Sequence, residues 1–141
     1  MFTGEYRHSI DAKGRVAVPA RFRAELATGA HVSRWLDNCL AIFPNLAWQQ
    51  LADRVGEQRY ADAEARAFSR FLFASAFDVE LDSQGRVVLP SSLRDFGGLR
   101  GEAVVVGALD HIEIWEPGRW AAQNEEMNSD VFAQRISNLG I

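Results

Sequence analysis

The strongest constraint on this chain is that it contains the same motif twice. DAKGRVAVPARFR, residues 11–23, realigns with DSQGRVVLPSSLR, residues 82–94, at a shift of 71. Asp11 falls on Asp82, Gly14 on Gly85, Arg15 on Arg86, Val16 on Val87, Pro19 on Pro90 and Arg23 on Arg94. Upstream, Tyr6, His8 and Ile10 meet Phe77, Val79 and Leu81; downstream, a shift of 72 carries Leu40, Ile42, Phe43 and Trp48 onto Ile112, Ile114, Trp115 and Trp120. A repeat of this length makes each copy a structural unit and the chain a covalently linked pseudo-dimer. A unit of about 70 residues buries only about 60% of its extended-chain surface, which is marginal alone.

Each copy reads as an α+β, β-rich unit. Tyr6, His8 and Ile10 alternate with Arg7 and Ser9, the period of a half-buried strand. Asp11-Ala12-Lys13-Gly14 supplies turn chemistry, with Asp at the first position and Gly where a left-handed backbone is needed. Val16 and Val18 resume the alternation, which predicts a hairpin with a three-residue loop. Pro19 ends that strand and opens a short helix over 20–27. A second strand pair is expected around 30–43 and again through Glu102–Gly107 and His111–Trp115. Residues 45–76 read as helical, with a break at Gly56 and the polar run Glu57–Arg59; a helical tail starts at Pro117. The expected organisation is a first module over 1–50, connecting helices over 51–76 and a second module over 77–141.

Charge is distributed unevenly. The net charge is −4, yet residues 1–35 hold six Lys/Arg against three Asp/Glu, and residues 36–141 hold nine against sixteen. Across 5–25 the first copy carries a net +2; across 76–96 the second carries −2, with Arg7, Ser9 and Lys13 replaced by Asp78, Glu80 and Gln84. Phosphate attraction scales with cations presented together, so a polyanion site is expected in the N-terminal copy, with the second copy mainly completing the fold. No apolar run approaches the roughly 20 residues of a membrane span, and the N-terminus lacks a secretory layout. Cys39 is alone, which fits a reducing compartment.

The candidate DNA-binding residues are Arg15, Lys13, Arg7, Arg21, Arg23 and Arg86; Asp11, Gly14, Asp82 and Gly85 form the turns. Turn physics accounts for Asp and Gly, because Asp accepts bonds from the turn amides. The arginine is open to two readings: it pairs with the Asp, or its planar fork meets guanine edges and phosphate. His8, His31, His111 and Cys39 match no ligand spacing, so no metal or other cofactor is expected. Glu102 and Glu113 read as outward strand residues, and Ser91 and Ser92 as helix caps. No catalytic constellation is visible, and the chain is expected not to be an enzyme or to bind a small-molecule substrate.

Together, MFTGEYRHSIDAKGRVAVPARFR, FASAFDVELDSQGRVVLPSSLR and VVVGALDHIEIWEPGRW resemble the MraZ family over nearly the whole chain. That resemblance implies two AbrB-like swapped-hairpin β-barrel modules folded as a pseudo-dimer, assembled as a homo-oligomeric ring. It implies a cytoplasmic, nucleoid-associated regulator that binds short direct repeats in double-stranded DNA and represses the division and cell-wall gene cluster. The family's Asp-x-x-x-Arg motif lies at Asp11 and Arg15, and at Asp82 and Arg86. The alternatives are an AbrB-like protein-interaction or antitoxin-type module that does not read DNA, and a small hydrolase.

Overall fold

A computed structural model describes residues 1–58 and 60–141. The first copy forms β1 (Glu5–Ser9), β2 (Arg15–Ala17), a 3-10 turn at Ala20–Phe22, α1 (Arg23–Leu26), β3 (Ala30–Arg34) and β4 (Leu40–Pro44). Helices α2 (Asn45–Gly56) and α3 (Ala63–Phe73) follow. The second copy gives β5 (Phe77–Val79), β6 (Arg86–Val88), α4 (Ser91–Gly97), β7 (Glu102–Gly107) and β8 (Ile112–Trp115), then α5 (Pro117–Met127) and α6 (Asp130–Ile136). The fold is α+β. The expected break between α2 and α3 is present; Arg59, at its edge, lies outside the described residues.

The two copies exchange strands. The main sheet is antiparallel with the order β1-β7-β8-β4-β3-β5, and β2 pairs with β6 in a separate two-stranded ribbon. Thus β1 of the first copy lies on β7 of the second, and β5 of the second lies on β3 of the first. Read from either end, the sheet order passes through equivalent strands. The pseudo-dyad runs between Ala41 and Glu113 in the sheet and between Val16 and Val87 in the ribbon, each pair being direct register partners.

This corrects the expected hairpin. Its loop is formed, but its arms do not pair along their length: beyond the loop bonds, only an isolated Ile10–Val16 bridge joins them. Burial gives the physical reason. Val16 and Val87 are buried side by side in a core that also takes Ile10, Val18, Phe22, Val32 and Ile42 from one copy and Leu89, Leu93, Leu99, Val105 and Ile114 from the other. Each aliphatic side chain buried there contributes about 1.5–3 kcal/mol. A closed hairpin would have left much of that surface wet.

Alternation along the strands divides the main sheet into two faces. Tyr6, His8, Ala103, Val105, Ile112 and Ile114 look toward the ribbon and the shared core. Ala41, Phe43, Val104 and Trp115 look the other way, under α2, α3 and α5. Trp120 of α5 packs on Trp115 at 5.3 Å and donates from Nε1 to Glu5 (2.7 Å). Helix α6 divides the expected helical tail in two; its local signal is Ser129, whose hydroxyl accepts from the Phe132 amide (3.2 Å). Ser91 and Ser92 do not cap α4: Pro90 holds the N-cap position, with no side-chain capping bond.

Gly14 and Gly85 are required twice over. Their φ values are +79° and +74°, where any Cβ costs about 1–2 kcal/mol. A Cβ on Gly14 would also lie 2.8 Å from the Leu89 carbonyl oxygen and 2.9 Å from Arg94 Nε; one on Gly85 would run into the Arg23 guanidinium. Each copy's arginine therefore lies over the other copy's turn. Gly14→Ala or Gly85→Ala should lower stability by more than the 1–2 kcal/mol backbone cost alone, measured by urea unfolding. Adding Arg23→Ala to Gly85→Ala should recover the excess, whereas adding Arg94→Ala to Gly14→Ala should recover only part of it, because the Leu89 carbonyl oxygen stays in place.

Candidate nucleic-acid interface

The β2–β6 ribbon has an inner face, Val16 and Val87, and an outer face formed by Arg15, Ala17, Arg86 and Val88. Arg15 stands opposite Val88, and Ala17 opposite Arg86. The two arginines are therefore diagonal neighbours on one surface, about 7–8 Å apart at the backbone. A single strand could not present both. The pairing across the pseudo-dyad does.

Both turns have the same internal bonding. Asp11 Oδ1 accepts from the amides of Lys13 (3.0 Å) and Arg15 (2.9 Å), and Oδ2 accepts from Arg15 Nε (2.6 Å). Asp82 Oδ1 accepts from Gln84 (2.8 Å) and Arg86 (2.9 Å), and Oδ2 from Arg86 Nε (2.9 Å). The carboxylate thus orders the loop and clamps the root of the guanidinium. Among the described residues, hydrogen bonds from these two side chains involve Nε alone, so the forked Nη ends are left to meet a ligand. The Arg15 and Arg86 side chains are 31% and 26% exposed. The two readings of the arginine are compatible: one edge pairs with Asp while the fork stays available.

The other expected cations do not all join this surface. Lys13 is exposed at the first loop, beside Arg15. Arg21 is exposed but turns to the N-terminal segment, donating to the Tyr6 hydroxyl (3.0 Å) and the Thr3 hydroxyl (3.2 Å). Arg23 is half-buried, donates to the Val18 carbonyl (2.9 Å) and packs over the Gly85 turn. Its counterpart Arg94 donates to the Leu89 carbonyl (3.0 Å) and packs over Gly14. Arg7 projects from β1 on the side of Val104, toward α5 and away from the ribbon. A cluster drawn from charge along the sequence therefore separates in space, because alternate residues of a strand face opposite ways. Val88, 53% exposed opposite Arg15, is a ribbon residue that charge reasoning missed.

A second polar cluster lies on the opposite face of the sheet. Glu113, expected outward, is half-buried: it accepts from Trp115 Nε1 (3.0 Å) and meets His111 Nε2 (2.9 Å), while His111 Nδ1 meets Asp110 (2.8 Å). The helices over this face turn what would be a solvent side into an interior. Burial opposes charge on both His111 and Glu113, but their mutual hydrogen bond and further partners outweigh it, raising the histidine and lowering the glutamate from their ordinary values. Burial pushes the Cys39 thiol up, which disfavours a thiolate. Among the described residues no group of three or more His, Cys, Asp or Glu is arranged to hold a metal ion.

The turn carboxylates have a defined pH signature. Asp11 and Asp82 are held below their ordinary value, first by the amides of Arg15 and Arg86, against a smaller opposing effect of desolvation. A depressed carboxylate stabilises the fold above its unfolded pKa, and that contribution is lost as pH falls through the folded one. Acid titration from the ordinary value of 3.8 downward should therefore loosen the wild type progressively. The Asp11→Asn/Asp82→Asn variant should lack this component of the acid transition, read by near-UV circular dichroism.

Comparison with known proteins gives the chain its relatives. The profile of the family described as "MraZ protein, putative antitoxin-like" matches twice, over residues 1–71 and 72–139, dividing the chain where the internal repeat does. "Transcriptional regulator MraZ" of Thermomicrobium roseum is 45% identical over 141 residues, covering 99% of each chain. The proteins of that name from Moorella thermoacetica and Alkaliphilus metalliredigens are 46% and 43% identical over 143 residues, covering 100% of each chain. Their names describe regulators rather than enzymes. With matches of this length and identity, the chain belongs to the MraZ family.

Proposed function

We propose that this chain is a sequence-specific DNA-binding transcriptional regulator whose β2–β6 ribbon enters the major groove. The observation that carries the reading is the pair Arg15 and Arg86 on one outward face, each anchored through Nε with its Nη fork left over. The major groove admits a two-stranded ribbon, and a bidentate arginine is the commonest specific contact to guanine. Lys13 then meets phosphate at one end, where Gln84 stands at the other. The reading uses both copies, so Arg86 is a base-contacting residue beside Arg15 rather than part of a purely structural half. Arg23 acts in it as a support for the Gly85 turn, and Arg7 and Arg21 contribute general charge.

The finer parts of the reading rest on the family. In it, residues 1–50 and 77–141 are two AbrB-like modules joined by 51–76, and the strand exchange corresponds to a swapped-hairpin barrel. The chain represses the division and cell-wall gene cluster in the cytoplasm by occupying short direct repeats, as a homo-oligomeric ring. Exposed Met1, Leu46 and Leu109, around a groove that also includes Phe2 and Pro44, give a surface for subunit contacts. Several weak ribbons on one particle gain affinity through effective concentration.

Titration against the DNA upstream of the chain's own gene, at several salt concentrations, tests the reading. Arg15→Ala and Arg86→Ala should each cost about 1–3 kcal/mol and relax sequence preference. Lys13→Ala should reduce the slope of log affinity against log salt by about one for each phosphate that the lysine neutralises. An unchanged affinity in both arginine variants, or equal binding to random duplex, would reject operator reading and favour a protein-interaction module.

A further inference from the structure

We propose that Val88 is a specificity-determining residue that reads the C5-methyl group of a thymine next to the base contacted by Arg15. Its counterpart Ala17 leaves the other half of the ribbon without an equivalent contact. This rests on the ribbon being the DNA-facing surface.

Three observations lead to it. First, Val88 is a β-branched side chain 53% exposed on the outer face of a strand whose inner partner, Val87, is 2% exposed. Second, its register partner is Arg15. The Val18 amide bonds the Gly85 carbonyl and the Leu89 amide bonds the Gly14 carbonyl, so Val16 and Val87 form a hydrogen-bonded pair. Arg15 and Val88 are then a non-hydrogen-bonded pair, the closer kind, with side chains adjacent. A guanidinium on a guanine edge brings the valine methyls to the neighbouring base pair. Third, the only apolar group on the floor of the major groove is the thymine methyl.

The position equivalent to Val88 in the first copy is Ala17, opposite Arg86. The polar parts of the ribbon are thus matched about the pseudo-dyad, Asp11–Arg15 with Asp82–Arg86, while the apolar parts are not. A ribbon with true twofold symmetry would read a palindrome. Val88 against Ala17, together with Lys13 against Gln84, gives the two halves different requirements. The chain therefore sits on a non-palindromic site with a fixed polarity.

The test uses duplex enriched from a randomised pool by the full wild-type chain. Each thymine is replaced in turn by deoxyuridine, which removes only the methyl. For the wild type, one replacement should weaken binding about four-fold, the worth of one buried methyl. Val88→Ala, whose shorter side chain withdraws both γ-methyls from the base, should lose most of that sensitivity to the thymine methyl. Because the comparison is made within one variant, any difference in folded fraction cancels. Ala17→Val, put through the same selection, should shift the enriched sequence toward a palindrome.

The proposal is overturned if no replacement affects the wild type, or if Val88→Ala keeps the full sensitivity to the methyl. In that case a loss of affinity in Arg15→Ala would leave the DNA reading standing alone. A pool that yields no enriched sequence would overturn both.

Discussion

The pairing of β2 with β6 across the pseudo-dyad is the contact on which the rest of this structure depends. It joins two strands of three residues, far too short to be stable as an isolated ribbon. Val16 and Val87 point from it into a core built from both copies. The loops at its ends carry the Asp–Arg pairs, and the outer face carries the residues to which DNA contact is assigned. Ribbon, core and candidate interface are one object seen from three sides.

Reciprocity explains why the turns are so constrained. Arg23 of the first copy bonds the Val18 carbonyl just past its own β2 and lies over the Gly85 turn; Arg94 bonds the Leu89 carbonyl and lies over Gly14. Each guanidinium bonds within its own copy and packs over the far copy's loop. The glycine has no side chain because that space belongs to the other copy. The aspartate inside each loop then aims the arginine that follows it. Orientation of the outer guanidinium is thereby set within its own copy, while the loop that carries it is packed against the other.

Much of this was legible in the residues. The repeat, the α+β class, the turn chemistry at Asp11–Gly14 and Asp82–Gly85, and helices on either side of the break near Gly56 all follow from local rules. What could not be read was partnership. Alternation in Tyr6, His8 and Ile10 tells which side of a strand is inward, but not which strand lies beside it. A hairpin loop ordinarily implies that its arms pair, and here they separate to serve two different sheets. The same limit affected the cations: Arg7, Lys13, Arg15, Arg21 and Arg23 are close in sequence, yet the fold sends Arg7 to the helix side and Arg23 over the opposite turn. Glu113 looked solvent-facing because nothing local reveals that helices cover that side of the sheet.

Sequence alone therefore determined the units: two copies of one turn-centred motif, their charge difference, and the residues able to occupy a left-handed loop. Those properties belong to single residues and their near neighbours, where backbone geometry and side-chain chemistry act directly. Tertiary structure decided the juxtapositions, above all that Arg15 and Arg86 share a surface with Val88. That outcome comes from burying apolar surface over the whole chain, a non-directional force that neither copy could satisfy without taking strands from the other.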